Sequence, residues 1–170
     1  MKIITRLQGF TLIELLITIA VAGILLAVAA PNFSNLISGN NARSSIERLT
    51  HIFAYARSEA VSRASDVEVC ASTDGVNCVN PGTDADWGNQ WLVRSDAGVV
   101  LRVESINALS VNFAVTNNAV PAVDLDAFTS VCFNSLGEEC NSTLPFVVFT
   151  ATSNGQTSFI RLNRNGSVGL

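Results

Sequence analysis

From Phe10 to Ala30 the chain reads FTLIELLITIAVAGILLAVAA, 21 residues in which Glu14 is the only charge. As a helix this run spans about 31 Å at about 1.5 Å per residue, which is one bilayer crossing. The nine residues before it, MKIITRLQG, carry Lys2 and Arg6 and no acid. The positive-inside rule keeps that end cytoplasmic and sends the rest outward. A secretory signal is the competing reading. Ordinary signal peptides have a shorter apolar stretch of about 7 to 15 residues followed by a small-x-small cleavage site. Here the run is longer, and the polar-to-apolar junction is Gly9-Phe10.

A carboxylate within a spanning helix costs about 2.5 to 3.5 kcal/mol at the bilayer centre on insertion scales, and less near an end, so Glu14 asks for a partner. A free amine on Phe10 after cleavage at Gly9 is a suitable cation, one helical turn away or on a neighbouring subunit. Snorkelling of Glu14 to the cytoplasmic headgroups is the bland alternative. Beyond this run the 170-residue chain has the length of one compact domain. Its net charge of −4 and its single lysine, Lys2, argue against a surface built to neutralise many phosphates. One histidine, His51, sits inside a helical pattern, so His-rich zinc sites and most triad chemistry lack raw material.

After Pro31, which lacks the N–H a helix interior needs and predicts a local break or kink, the helical pattern resumes. Ala42, Ile46, Leu49, Phe53, Ala56 and Ala60 recur in steps of four and three, while Arg43, Glu47, Arg48, Arg57, Glu59 and Arg63 lie mainly off that stripe. A helix from Phe10 to about Ala64 would be about 80 Å long. Past Ser65 the composition turns to β-branched and aromatic runs punctuated by Gly, Asn, Asp and Pro. These predict strands over 67–71, 90–94, 99–104, 109–115, 129–133, 146–151 and 157–162, at spacings that suit antiparallel hairpins. The expected fold class is α+β, with a long N-terminal helix whose hydrophobic half spans the membrane and whose amphipathic half packs on a C-terminal antiparallel β domain.

Four cysteines permit three connectivities. Cys70 and Cys78 enclose seven residues, as do Cys132 and Cys140. The repeated spacing favours Cys70–Cys78 and Cys132–Cys140, each clipping a hairpin, and export to an oxidising compartment makes disulfides the default. A four-thiolate zinc site is the rival, but seven intervening residues differ from the usual two to four. Asp84 with Asp86, and Asp124 with Asp126, offer hard oxygen ligands for calcium without a Gly-spaced loop or a bidentate acid at fixed distance, and read as loop solvation. Trp87 and Trp91 read as core or hairpin aromatics. No cofactor is called for, and no set of nucleophile, base and orienter stands at recognisable spacing, so the chain does not read as an enzyme.

A short basic leader ending in Gly9, then Phe10-Thr11-Leu12-Ile13-Glu14 and an apolar helix running into Pro31, resembles the N-terminus of type IV pilins and of the pseudopilins of type II secretion. The resemblance implies cleavage by a prepilin peptidase between Gly9 and Phe10 and N-methylation of Phe10. It also implies that Glu14 pairs with the N-terminal amine of an adjacent subunit during assembly. Four segments are then implied: leader 1–9, transmembrane and assembly helix 10–30, amphipathic continuation 31–64, and a β-rich pilin head 65–170. Removal of Lys2 and Arg6 leaves 8 basic and 14 acidic residues, net −6.

Three further places resemble the GspH/FimT group of minor pilins and pseudopilins. They are Tyr55-Ala56-Arg57-Ser58-Glu59-Ala60 with Arg63, the Trp87 to Val93 element, and the late turns Phe133-Asn134-Ser135-Leu136-Gly137 and Arg164-Asn165-Gly166. The implied function is that of a minor pilin near the pilus tip that helps to initiate assembly. The implied partners are other minor pilins, the major pilin, the prepilin peptidase and the inner-membrane assembly platform, with membrane lipid around the helix before assembly. The implied localisation is the inner membrane, single-pass, and then a pilus on the cell surface. Two alternatives stand beside it. One is a type II secretion pseudopilin with the same anchor. The other is a DNA-binding minor pilin for natural transformation, which some members achieve through a basic Gly-Arg-x-Arg motif. The matching place here reads Gly166-Ser167-Val168-Gly169, and only Arg161 and Arg164 nearby remain as candidate weak DNA contacts.

Overall fold

The computed structural model of the protein describes residues 10–79, 87–106, 111–116, 128–140 and 144–169, and for 28–32 the backbone alone. The chain divides into two units, one ending at Ile37 and one spanning Ser38–Leu170. Helix α1, Leu12–Arg63, contributes to both. It passes through Pro31 without a break in helical structure, so the expected local break is corrected. Proline removes one donor from the ladder, and the bonds on either side suffice to carry the helix on. At the far end Ala64 turns left-handed, with φ of 50°. There Ser65 N–H donates to the Ala60 carbonyl at 3.3 Å, a Schellman-type stop with alanine where glycine is usual.

In the second unit the stripe read from the sequence is the buried face of the helix. Ala42, Ile46, Leu49, Phe53, Ala56 and Ala60 are all buried, joined by Ile52. Burying side chains such as Ile46 and Leu49 stabilises by about 1.5–3 kcal/mol each. Two four-stranded antiparallel sheets complete the core. One is ordered β3-β2-β1-β5 and the other β4-β6-β7-β8. The strands are β1 Val67–Ser72, β2 Gln90–Ser95, β3 Val100–Ser105, β4 Asn112–Thr116, β5 Ser130–Phe133, β6 Phe146–Ser153, β7 Gln156–Asn163 and β8 Val168–Gly169. Seven of these fall within the sequence expectations, give or take a few residues. The two-residue β8 is too short to show a period of two and was not expected.

Phe53 ties the layers together. Its ring lies 6.1 Å from Phe133 on β5, 5.1 Å from Phe149 on β6 and 6.5 Å from Trp87. One helix residue therefore contacts both sheets, and edge-to-face geometry adds to the area it buries. Trp87 and Trp91 are fully buried, and each indole N–H is satisfied by a carbonyl at 2.8 Å, that of Phe128 for Trp87 and that of Trp87 for Trp91. Along β6 the pattern alternates strictly: Val147, Phe149, Ala151 and Ser153 point inward, while Phe146, Val148, Thr150 and Thr152 face out. The β6–β7 hairpin turns at Asn154 and Gly155, both with positive φ, as a type I′ turn needs.

Disulfides join Cys70 to Cys78 and Cys132 to Cys140, with Cα separations of 5.5 and 5.2 Å. Each ties a strand to the loop that leaves it, β1 in the first case and β5 in the second.

Candidate functional site

The first candidate is the start of α1. Thr11 precedes the helix, and its Oγ1 accepts the Glu14 backbone N–H at 3.3 Å. Thr11-x-x-Glu14 thus has the spacing of a capping box, and places Glu14 in the first turn, where the helix dipole favours an acid. The sequence reading passed over Thr11, although the T-x-x-E spacing before an apolar run was the signal. Phe10 and Glu14 are both exposed, and Gly9 lies outside the described residues. From Leu12 to Ala27 every residue is exposed, the large apolar ones Ile13, Ile17, Ile24 and Leu25 included. Among the described residues no helix is long and apolar enough to cross a membrane, the described side chains of the run ending at Ala27.

The second candidate is a cluster built from three segments that lie far apart in the chain. Arg57 of α1 reaches the β7–β8 turn, where its Nη2 donates to the Asn165 carbonyl at 3.3 Å. Gly137, in the turn after β5, and Gly166, in the turn after β7, meet there with positive φ of 76° and 74°. A methyl group on Gly166 would collide with the Gly137 carbonyl oxygen, and one on Gly137 would stand 2.9 Å from Arg57 Nε. At Gly166 backbone leaves no room for a side chain, and at both places the left-handed conformation favours glycine. Glu139 N–H donates to the Arg164 carbonyl at 2.9 Å, closing the same contact. The segments Tyr55 to Ala60, Phe133 to Gly137 and Arg164 to Gly166, singled out separately in the sequence, are one site in space. Its chemistry is docking of a helix end onto two turns.

Elsewhere the described residues do the following. Arg161 and Arg164 are exposed, and the Arg161 guanidinium lies 5.2 Å over the Phe146 ring. His51 is exposed and borders a groove of about 530 Å³ between α1 and the β7–β8 edge, beside Ile46, Ile160 and Val168. Asp66 lies beside the Cys132–Cys140 pair, but those sulfurs are bonded to each other and offer no thiolate to a metal. Asp84, Asp86, Asp124 and Asp126 lie outside the described residues. In the loop after β1, Asp74 Oδ1 accepts backbone N–H groups from Asn77 and Val76, each at 2.8 Å, and Oδ2 accepts the Asn77 amide at 2.8 Å. These donors, the Asn77 backbone first, hold its carboxyl well below the usual carboxylate range.

The family model described as "Type II transport protein GspH" matches residues 45–166, most of the chain. The chain belongs to the GspH family. That match contains all three segments of the glycine cluster. The "Prokaryotic N-terminal methylation motif" matches residues 5–30, which covers Gly9, Glu14 and the apolar run. Two crystal structures of the type IV minor pilin FimU from Pseudomonas aeruginosa PAO1 share the fold. One is 22% identical, covers 77% of this chain and 88% of FimU, and superimposes with a TM-score of 0.57. The other is 20% identical, covers 75% and 90%, and has a TM-score of 0.53. A search of curated proteins finds no match. The protein is therefore a type IV pilin-like member of the GspH/FimT type, a minor pilin or pseudopilin in class, and its family and fold are those of structural subunits.

Proposed function

We propose that this GspH-family protein is a minor pilin of a type IV pilus, incorporated near the tip and helping to initiate assembly. One observation carries the reading: the acid-bearing apolar half of α1 is exposed from Leu12 to Ala27, while the unit from Ser38 onward packs a core of its own. Such a helix needs other helices or lipid around it. In this reading a prepilin peptidase cuts between Gly9 and Phe10 and methylates Phe10. Glu14 then compensates the amine of an adjacent subunit as the helix leaves lipid. Pro31 is the kink point between the assembly half and the head half. The protein waits in the inner membrane with its N-terminus cytoplasmic and moves to the cell surface through the assembly platform, among other minor pilins and the major pilin.

In sheared pili from cells carrying Glu14→Ala, this protein is expected to be depleted while its level in the inner membrane is unchanged. Equal incorporation would refute the role of Glu14. Counting surface pili in a deletion strain and its complemented parent tests the initiating role, which predicts few or no pili without the protein.

The wording of the matched family favours a second reading, a type II secretion pseudopilin. It predicts normal pili and lost secretion in the same deletion strain. The DNA reading rests on Arg161 and Arg164. Two arginines on a processed chain of net −6, without Lys2 and Arg6, would give weak binding with a shallow salt slope in a low-salt gel shift.

A further inference from the structure

Strand β7 is an open edge of the β4-β6-β7-β8 sheet over its first half. Val168 and Gly169 of β8 pair only with Leu162 and Arg161, so among the described residues Gln156 to Phe159 pair with β6 alone. Unpaired edges are ordinarily blunted by charge, a bulge, proline or a cover. The edge strand β3 carries the Arg102–Glu104 ion pair and a register shift where it meets β2. The four-residue β5 is covered by its own turn, through the Phe133–Glu139 bridge. Strand β4 is flanked by 107–110 and 117–127, which lie outside the described residues. Gln156-Thr157-Ser158-Phe159 has no charge and no proline, and runs in unbroken register with β6. Beside it lies the groove of about 530 Å³, to which Ile46 of α1, Ile160 and Val168 give apolar walls and Ser158 a hydroxyl. The charged side chains lining it, Arg43 and Glu47, are paired to each other at 2.9 Å.

We infer that a neighbouring pilin-type subunit adds an extended strand to this edge opposite Gln156 to Phe159, its side chains alternating between the groove and the Phe159 side. A row of unpaired backbone N–H and C=O groups selects another extended backbone over a helix, whose own groups are already bonded. The neutral, largely apolar groove selects uncharged residues at every second position of that strand. Contacts along a filament are heterologous, so the edge meets a different surface of its neighbour rather than a copy of itself. A strand this short binds weakly alone and relies on the second tether that packed α1 helices supply. The contact rests on the filament reading above and adds to it a surface and a mode of pairing.

Photocrosslinking of the full-length protein in piliated cells tests it, with p-benzoylphenylalanine in place of Phe159 and the adducts mapped by mass spectrometry. Adducts are expected on a different pilin-type subunit, at residues i and i+2 of one extended segment. Ser158→Lys sets a cation against the groove under the added strand and should cut the adduct about tenfold or more. Thr152→Lys, on the interior strand β6, should leave it within about threefold. Melting curves of both variants should match the parent, since each lysine can reach solvent in the unpaired head. Adducts at i, i+3 and i+4, adducts only between the Phe159 positions of two copies, or an adduct unchanged by Ser158→Lys would each overturn the strand. Protein present in pili without any adduct would overturn it too. Absence of the protein from pili would instead overturn the filament reading, and the added strand with it.

Discussion

Leu16 and Leu49 belong to the same helix, yet the first is 48% exposed and the second 0%. The difference follows from what surrounds each in sequence. Around Leu16 apolar residues occupy every side of the helix, so no single sheet face could cover them. Around Leu49 they form one stripe with Arg43, Glu47, Arg48 and Arg57 mainly off it, and one face is what a sheet can cover. The head is thus stabilised within the chain, and the N-terminal half of α1 is matched to surroundings outside it.

Four measurements can break or sharpen that contrast, each read as the melting of the head in the full-length protein. Gly166→Ala is expected to have the largest effect, on the order of 4 kcal/mol, because the new methyl group meets the Gly137 carbonyl and the backbone is left-handed there. A near-normal melting temperature would show that the cluster of Arg57 and the two turns is soft. Leu49→Ala should cost about 2–5 kcal/mol, whereas Leu16→Ala should stay within about 0.5 kcal/mol. Similar losses at both positions would erase the distinction between the two halves of the helix.

Reduction of the Cys132–Cys140 bridge, isolated by Cys132→Ser/Cys140→Ser, should cost about 2.5 kcal/mol for so short a loop. The smallest effect is expected at Asp74. Its carboxyl is held below its ordinary range in the folded state, so its contribution is fully present above the unfolded-state value and is lost as pH falls below the usual carboxylate range. Asp74→Asn should therefore melt slightly lower than the parent at pH 7 and converge with it in acid. A gap that persists at low pH would assign the effect to the loop's shape instead.

Much of the fold was legible in the sequence because it rests on periodicity. The helix stripe and seven strands follow from steps of three to four and of two, patterns that a buried face imposes on the residues that form it. Trp87 and Trp91, read as core or hairpin aromatics from their residue type, are both buried. At Pro31 the helix shows no break, because one missing donor says nothing of how well the rest of a long ladder holds. The Thr11 cap is purely local and is written in the T-x-x-E spacing that ends at Glu14. The β8 strand could not be read, since two residues carry no period.

The sequence by itself determined the apolar helix with its one acid, the stripe that continues it, the strand-rich head and the paired spacing of the cysteines. All of these are properties of neighbours along the chain. Only the tertiary structure decided that Arg57, Gly137 and Gly166 form one contact and that Phe53 bridges two sheets. Those depend on strand order and register across separations of up to about a hundred residues, which excluded volume and core packing select globally and no local pattern records.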